Sequence, residues 1–133
     1  MVLNGDVLTK IDHKNLLNFH KSNNANVSIA VREYITEIPY GVVNIDDKNI
    51  ITLEEKPKLN HFVNAGIYMF NPEVLDFIPQ NKFYDMPSLF KKLISEGKNI
   101  NSFPLREYWL DVGRIEEYEK ANKDFHTDFN VPK

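Results

Sequence analysis

Two aspartates stand where chemistry is often done. Asp6 follows Val2-Leu3 and the Asn4-Gly5 break, and Asp111 follows Tyr108-Trp109-Leu110. The carboxyl ends of strands are where open α/β sheets bind their ligands. If both apolar runs lie in one sheet, the two carboxylates converge. A hard divalent cation such as Mg²⁺ takes one or two carboxylates from protein and completes its octahedron with water and phosphate oxygens. Read by residue type alone, the same aspartates also serve as a turn cap and a helix cap. Glu55-Lys56-Pro57 forms a second constellation, in which the lysine offers a point charge to a phosphate and the glutamate accepts hydrogen bonds from hydroxyls. The plainer alternative is a solvated loop. Asn64-Ala65-Gly66 places small residues inside a bulky apolar run, which either admits a ligand close to the backbone or marks a bulge. His13, His20, His61 and His126 lack the close spacing of metal ligands, so packing or a surface position is expected of them.

These residues need elements to hold them. Asp12 is placed to cap a helix with an apolar stripe of Leu16, Leu17, Phe19 and His20. Asn26 to Arg32 reads as a strand, followed by a loop through Pro39. Gly41 to Ile45 and Ile50 to Leu53 flank Asp46-Asp47-Lys48-Asn49 as a hairpin, and Glu54 to Lys58 reads as a polar loop. Phe62 to Phe70 is a further strand. Asn71-Pro72-Glu73 starts a helix with Val74, Leu75, Phe77 and Ile78 on its apolar face, closed by Pro79. Pro87 to Glu96 is another, with Leu89, Phe90, Leu93 and Ile94 inward and Gly97 just past its end. Ile100 to Leu105 and Tyr108 to Gly113 read as strands, and Ile115 to Phe125 as a terminal helix. The domain is expected to span residues 1–126, with 127–133 as a tail. Strands interleaved with helices around an inserted hairpin give an α/β class with a mixed sheet.

Composition narrows the functional classes. The chain has 133 residues, 42% hydrophobic and 12% aromatic, enough for a packed core. Its net charge of −3, without a basic run, points to neither nucleic acid nor membrane as a partner. No signal-peptide pattern and no long apolar span is present, and the absence of cysteine suits a reducing compartment, so a cytoplasmic protein is expected.

The order of the motifs is more specific than any one of them. NGD at 4–6, YGVV at 40–43, LEEKP at 53–57, NAGIYMF at 64–70 and YWLDVGRIEEYEKAN at 108–122 follow one another over nearly the whole chain. This succession resembles the carboxyl-terminal part of the sugar-nucleotide pyrophosphorylases, nucleotidyltransferases that join a nucleoside triphosphate to a sugar 1-phosphate. The terminal DVGR and EEYEKAN look most like the mannose-1-phosphate guanylyltransferase-like branch. The resemblance implies a Rossmann-like mixed sheet with flanking helices, the carboxyl-terminal part of a nucleotide-diphospho-sugar transferase fold. It implies Mg²⁺ held by Asp6 and Asp111, and catalytic roles for Asp6, Lys56 and Asp111. It further implies that Gly41 and Glu55 contact the sugar, that Lys56 approaches the sugar phosphate, and that Asn64, Ala65 and Gly66 line the pocket. Arg114 departs from the threonine often found after this glycine.

The family's G-x-G-x-R-L triphosphate loop has no counterpart here, since the glycines are only 5, 41, 66, 97 and 113. The chain is therefore expected to be a partial domain, inactive alone, whose parent uses a sugar 1-phosphate and a nucleoside triphosphate with a lean toward GTP. A self-association through apolar surface near Val2 and Leu3 is also expected, making it a homo-oligomer. The alternative is a non-catalytic sugar-phosphate-binding or regulatory module that pairs with a partner chain.

Overall fold

The computed structural model describes residues 1–129. Its centre is a four-stranded mixed sheet of order β1–β6–β3–β7, built from β1 (Val2–Leu3), β3 (Val27–Glu37), β6 (Lys58–Phe70) and β7 (Ile100–Pro104). β6 runs antiparallel to β1 and β3, and β7 parallel to β3. Two small ribbons accompany it: β2 (Val7–Thr9) pairs with β8 (Trp109–Asp111), and β4 (Gly41–Asp46) with β5 (Asn49–Glu55). The helices are α1 (His13–Ser22), α2 (Met86–Ser95) and α3 (Ile115–Asp128), with a 3₁₀ helix at Pro72–Phe77.

The strand period of two divides the sheet into two faces, each with its own core. Ala30, Ala65, Ile67 and Met69 face Ile11, Leu105 and Leu16 of α1. Val27 and Tyr68 face Val74, Leu89, Phe90 and Leu93 on the α2 side. Covering on both faces explains why β3 and β6 open and close, respectively, with runs of buried residues rather than clean alternation. One polar group crosses into the first core. His20 of α1 is 5% exposed, with Nδ1 3.0 Å from Ser28 Oγ and Nε2 3.0 Å from Asn71 Oδ1. Asn71 Nδ2 donates to the Ala25 carbonyl, so its Oδ1 is the acceptor and the His20 proton sits on Nε2.

Local chemistry sets the helix ends. Asp12 Oδ1 accepts from the amides of Lys14 and Asn15, and Asp85 Oδ1 from that of Ser88. Gly97, at φ +69°, ends α2 in a Schellman arrangement, its own amide on Ile94 O and that of Lys98 on Leu93 O.

Several expectations need correction. β3 continues to Glu37, because the far half of β6 pairs with it through Lys58. The polar loop at 54–58 is narrower, since β5 runs to Glu55 and β6 starts at Lys58. Pro72–Phe77 is 3₁₀ rather than α, and only Val74 of it is buried. Ile94 is 65% exposed, one position around α2 from the buried Leu93. α3 extends to Asp128, so Thr127 and Asp128 are helical rather than tail; 130–133 lie outside the described residues. Leu93→Ala is expected to cost about 2–5 kcal/mol in urea unfolding, whereas Ile94→Ala should change stability by less than about 1 kcal/mol. Equal losses would place Ile94 in the core after all.

Candidate functional site

The bulge predicted as one of two readings of Asn64-Ala65-Gly66 is present. Between the pairs Ile29↔Tyr68 and Val31↔Asn64, β3 supplies one residue and β6 three. Gly66 takes φ +70°, a conformation cheap only for glycine. The turned-out backbone finds other partners. Gly66 N donates to Asn64 Oδ1 at 3.0 Å, Gly66 O accepts from Asn4 N at 2.8 Å, and Ala65 O accepts from Trp109 Nε1 at 2.9 Å. The Asn4 side chain lies against Gly66 so closely that an added Cβ would stand 2.7 Å from Asn4 Nδ2. Asn64 Nδ2 donates to the Tyr68 hydroxyl, so both ends of this amide already have partners within the fold.

The two aspartates follow from these anchors, Asp6 two residues after Asn4 and Asp111 two after Trp109. The two apolar runs do not lie in one sheet: Val2–Leu3 is β1 of the central sheet, while the run before Asp111 is β8, which pairs with a strand not foreseen, Val7–Thr9. Val7 lies opposite Asp111, and Val112 N donates to Asp6 O at 2.7 Å. The carboxylates are thereby brought within electrostatic reach. Burial first, then the charges of Asp6 and Glu117, raises the Asp111 carboxyl above its ordinary value. Asp6 opens on a cavity of about 370 Å³ with Leu8, Tyr118 and Phe125, and Asp111 on one of about 280 Å³ with Tyr34, Val63 and Glu117. α3 is tied to this region by Tyr108 Oη donating to Asp124 Oδ2 at 2.6 Å, and by Lys10 Nζ over the Phe129 ring.

The second group sits elsewhere. Gly41 lies opposite Glu55 at the base of the β4–β5 ribbon, with Glu55 Oε2 only 3.0 Å from where a Gly41 Cβ would be. Lys56 follows at φ +47°, its amide on Tyr40 O at 3.3 Å. All three are exposed. The structure brings Asp6 and Asp111 together through the β2–β8 ribbon, and brings Gly41, Glu55 and Lys56 together at the base of the β4–β5 ribbon. Residue typing missed Asn4, Trp109 and Glu117. Of these only Glu117 had a sequence signal, standing three residues after the helix-starting Arg114.

A mixed sheet with helices on both faces is the architecture of the nucleotide-diphospho-sugar transferase fold. Solved structures agree: a putative glucose-1-phosphate thymidylyltransferase from Bacillus anthracis superposes with a TM-score of 0.66 at 20% identity, covering 98% of this chain and 55% of that one. HddC from Yersinia pseudotuberculosis gives 0.61 at 25% identity, over 92% and 53%. The family model of nucleotidyl transferases matches residues 1–128, and the chain belongs to that family. It is 35% identical to a UTP–glucose-1-phosphate uridylyltransferase of Synechocystis over 91% of its length, and 35% to a glucose-1-phosphate adenylyltransferase of Clostridium novyi over 93%. To a probable mannose-1-phosphate guanylyltransferase of Arabidopsis thaliana it is 37% identical over 88%. The chain spans about a third of the length of these relatives, 33%, 36% and 36% respectively.

Two outcomes are expected. Gly66→Ala combines a left-handed backbone with a clash on Asn4 and should lose about 1–3 kcal/mol, part of it recovered by adding Asn4→Gly. The second concerns pH. A carboxyl raised in the folded state binds more protons there than when unfolded, so its contribution falls as pH rises from the ordinary value of 3.8 through the folded value. Without divalent cation, Asp111→Asn should be more stable than wild type at neutral pH, and the gap in urea midpoint should close as pH is lowered toward 3.8. A gap independent of pH would remove the carboxylate repulsion.

Proposed function

We propose that this chain supplies the metal and sugar-phosphate side of a nucleotidyltransferase that makes a nucleotide sugar and pyrophosphate from a nucleoside triphosphate and a sugar 1-phosphate. The observation that carries this is the meeting of Asp6 and Asp111 through β2–β8. Two carboxylates suit Mg²⁺, which keeps waters and takes phosphate oxygens for its remaining positions. When bound there, Mg²⁺ would neutralise charge on the triphosphate. Asp6 and Asp111 would hold it; burial first, and then the charges of Asp6 and Glu117, raise Asp111, and a cation would relieve the charge repulsion.

Lys56 has independent support. Among the described residues, the other non-glycine positions with positive φ are Asn24, Asp47 and Asn81, types that tolerate it. Lysine gains nothing locally from that backbone, and an unfavourable backbone at this residue supports a use for the side chain. In this reading Lys56 holds the phosphate whose oxygen attacks the α-phosphorus in line as pyrophosphate leaves, while Gly41 and Glu55 meet the sugar. Asn64, Ala65 and Gly66 shape the pocket through the bulge. Catalysis is positioning and charge neutralisation, without a covalent enzyme intermediate. The triphosphate loop belongs to another part of the family domain, and the 133 residues alone are proposed to be inactive. GTP is the favoured triphosphate on the terminal motif, the compartment cytoplasmic, and the assembly homo-oligomeric. Among the described residues no helix is long and apolar enough to cross a membrane.

The test joins the chain to a family Gly-rich amino-terminal part and follows pyrophosphate release with GTP, UTP and ATP against mannose and glucose 1-phosphates. Asp111→Asn there is expected to lower kcat by about two orders of magnitude or more. Lys56→Gly should relax the backbone and still weaken sugar 1-phosphate binding in calorimetry by about tenfold, the loss of one charge-assisted contact. Near-normal turnover by the Asp111 variant would sink the metal assignment.

A further inference from the structure

The turn after Asp111 is held from two sides. β8 ends at Asp111, so no ladder fixes residues 112–114. Val112 N is taken by Asp6 O, and Gly113 N donates to Glu117 Oε2 at 3.1 Å. Glu117 stands at the third helical position of α3, behind Arg114, which caps the helix with no side-chain bond. A glutamate at this position ordinarily reaches back to the capping amide. Here it reaches one residue further, into the turn.

The geometry puts both carboxylates around one glycine. A methyl on Gly113 would lie 3.7 Å from Glu117 Oε2 and 3.8 Å from Asp111 Oδ2. Glu117 is half-buried and shares the cavity of about 280 Å³ with Asp111. It does not complete a ligand triad, since no group of three acidic or imidazole side chains poised for a metal occurs among the described residues. Its contact is with the turn two residues after Asp111. Glycine has the widest backbone freedom of any residue, so the bond to its amide fixes the turn that stands beside the Asp111 carboxylate.

We propose that Glu117 is a positioning residue, which aims the Asp111 carboxylate by holding the Gly113 amide. This rests on the reading of Asp6 and Asp111 as the residues that hold Mg²⁺. Amide hydrogen exchange, together with Mn²⁺ binding followed by electron paramagnetic resonance, tests it in wild type, Glu117→Gln and Glu117→Ala. Glutamine keeps an acceptor oxygen and alanine does not. Gly113 exchange should quicken by about tenfold or more in Glu117→Ala and by less than about threefold in Glu117→Gln. Mn²⁺ affinity should fall about tenfold with alanine, as loss of an outer-shell partner does, and less than about threefold with glutamine. Unchanged Gly113 exchange in Glu117→Ala overturns the proposal. So does an equal loss of Mn²⁺ affinity in both variants, which would assign the effect to charge alone. Asp111→Asn separates the underlying reading: if it binds Mn²⁺ as wild type does, the metal reading itself fails and the proposal falls with it, whatever Gly113 shows.

Discussion

The bulge at Ala65 and Gly66 is the constraint on which the rest of the site depends. In a regular ladder the carbonyls of a central strand face their neighbours and are used there. By inserting extra residues opposite β3, β6 turns two of them aside, one to Asn4 and one to Trp109. Those two partners come from chain ends more than a hundred positions apart, and each lies two residues before an aspartate. A hydrogen bond contributes only about 1 kcal/mol net, but leaving a buried carbonyl without a partner costs more. The bulge therefore places the β2–β8 ribbon, and with it Asp6 and Asp111, by the same satisfaction rule that governs any buried backbone. Gly66 is what permits this, since a side chain there would meet both a strained φ and the Asn4 amide.

Stability and function divide along β6. Its carboxyl half is packed on both faces, with Ile67 and Tyr68 at 0% and 2% exposure, while its amino half and the β4–β5 ribbon carry exposed apolar residues such as Phe62 at 71% and Leu53 at 68%. A two-stranded ribbon is marginal in water without cover. Gly41, Glu55 and Lys56 are therefore on a part of the molecule with little packing to resist movement, whereas the ribbon that carries the exposed Asp6 and Asp111 is anchored by Val7 and Trp109 packed against the first core. Binding groups on a soft ribbon are compatible with a site that forms around its ligand.

Much of the local structure was legible in the chain. Asp12 caps a helix because a short acidic side chain reaches free amides a few residues on, and Gly97 ends α2 because only glycine takes that backbone cheaply. The hairpin, the interruption at Asn64 to Gly66, and the order of five motifs that leads to the nucleotidyl transferase family likewise lie within short stretches of residues. What tertiary structure alone decided was partnership at a distance. Val7–Thr9 is too short to read as a strand until Trp109–Asp111 is beside it, and Ile94 and Leu93 differ in burial only because α2 meets the sheet at one particular rotation. The meeting of Asp6 with Asp111 and the use of Trp109 and Asn4 to hold a bulge have no local signal, because hydrogen bonds between residues a hundred positions apart depend on a register that only the packed core selects.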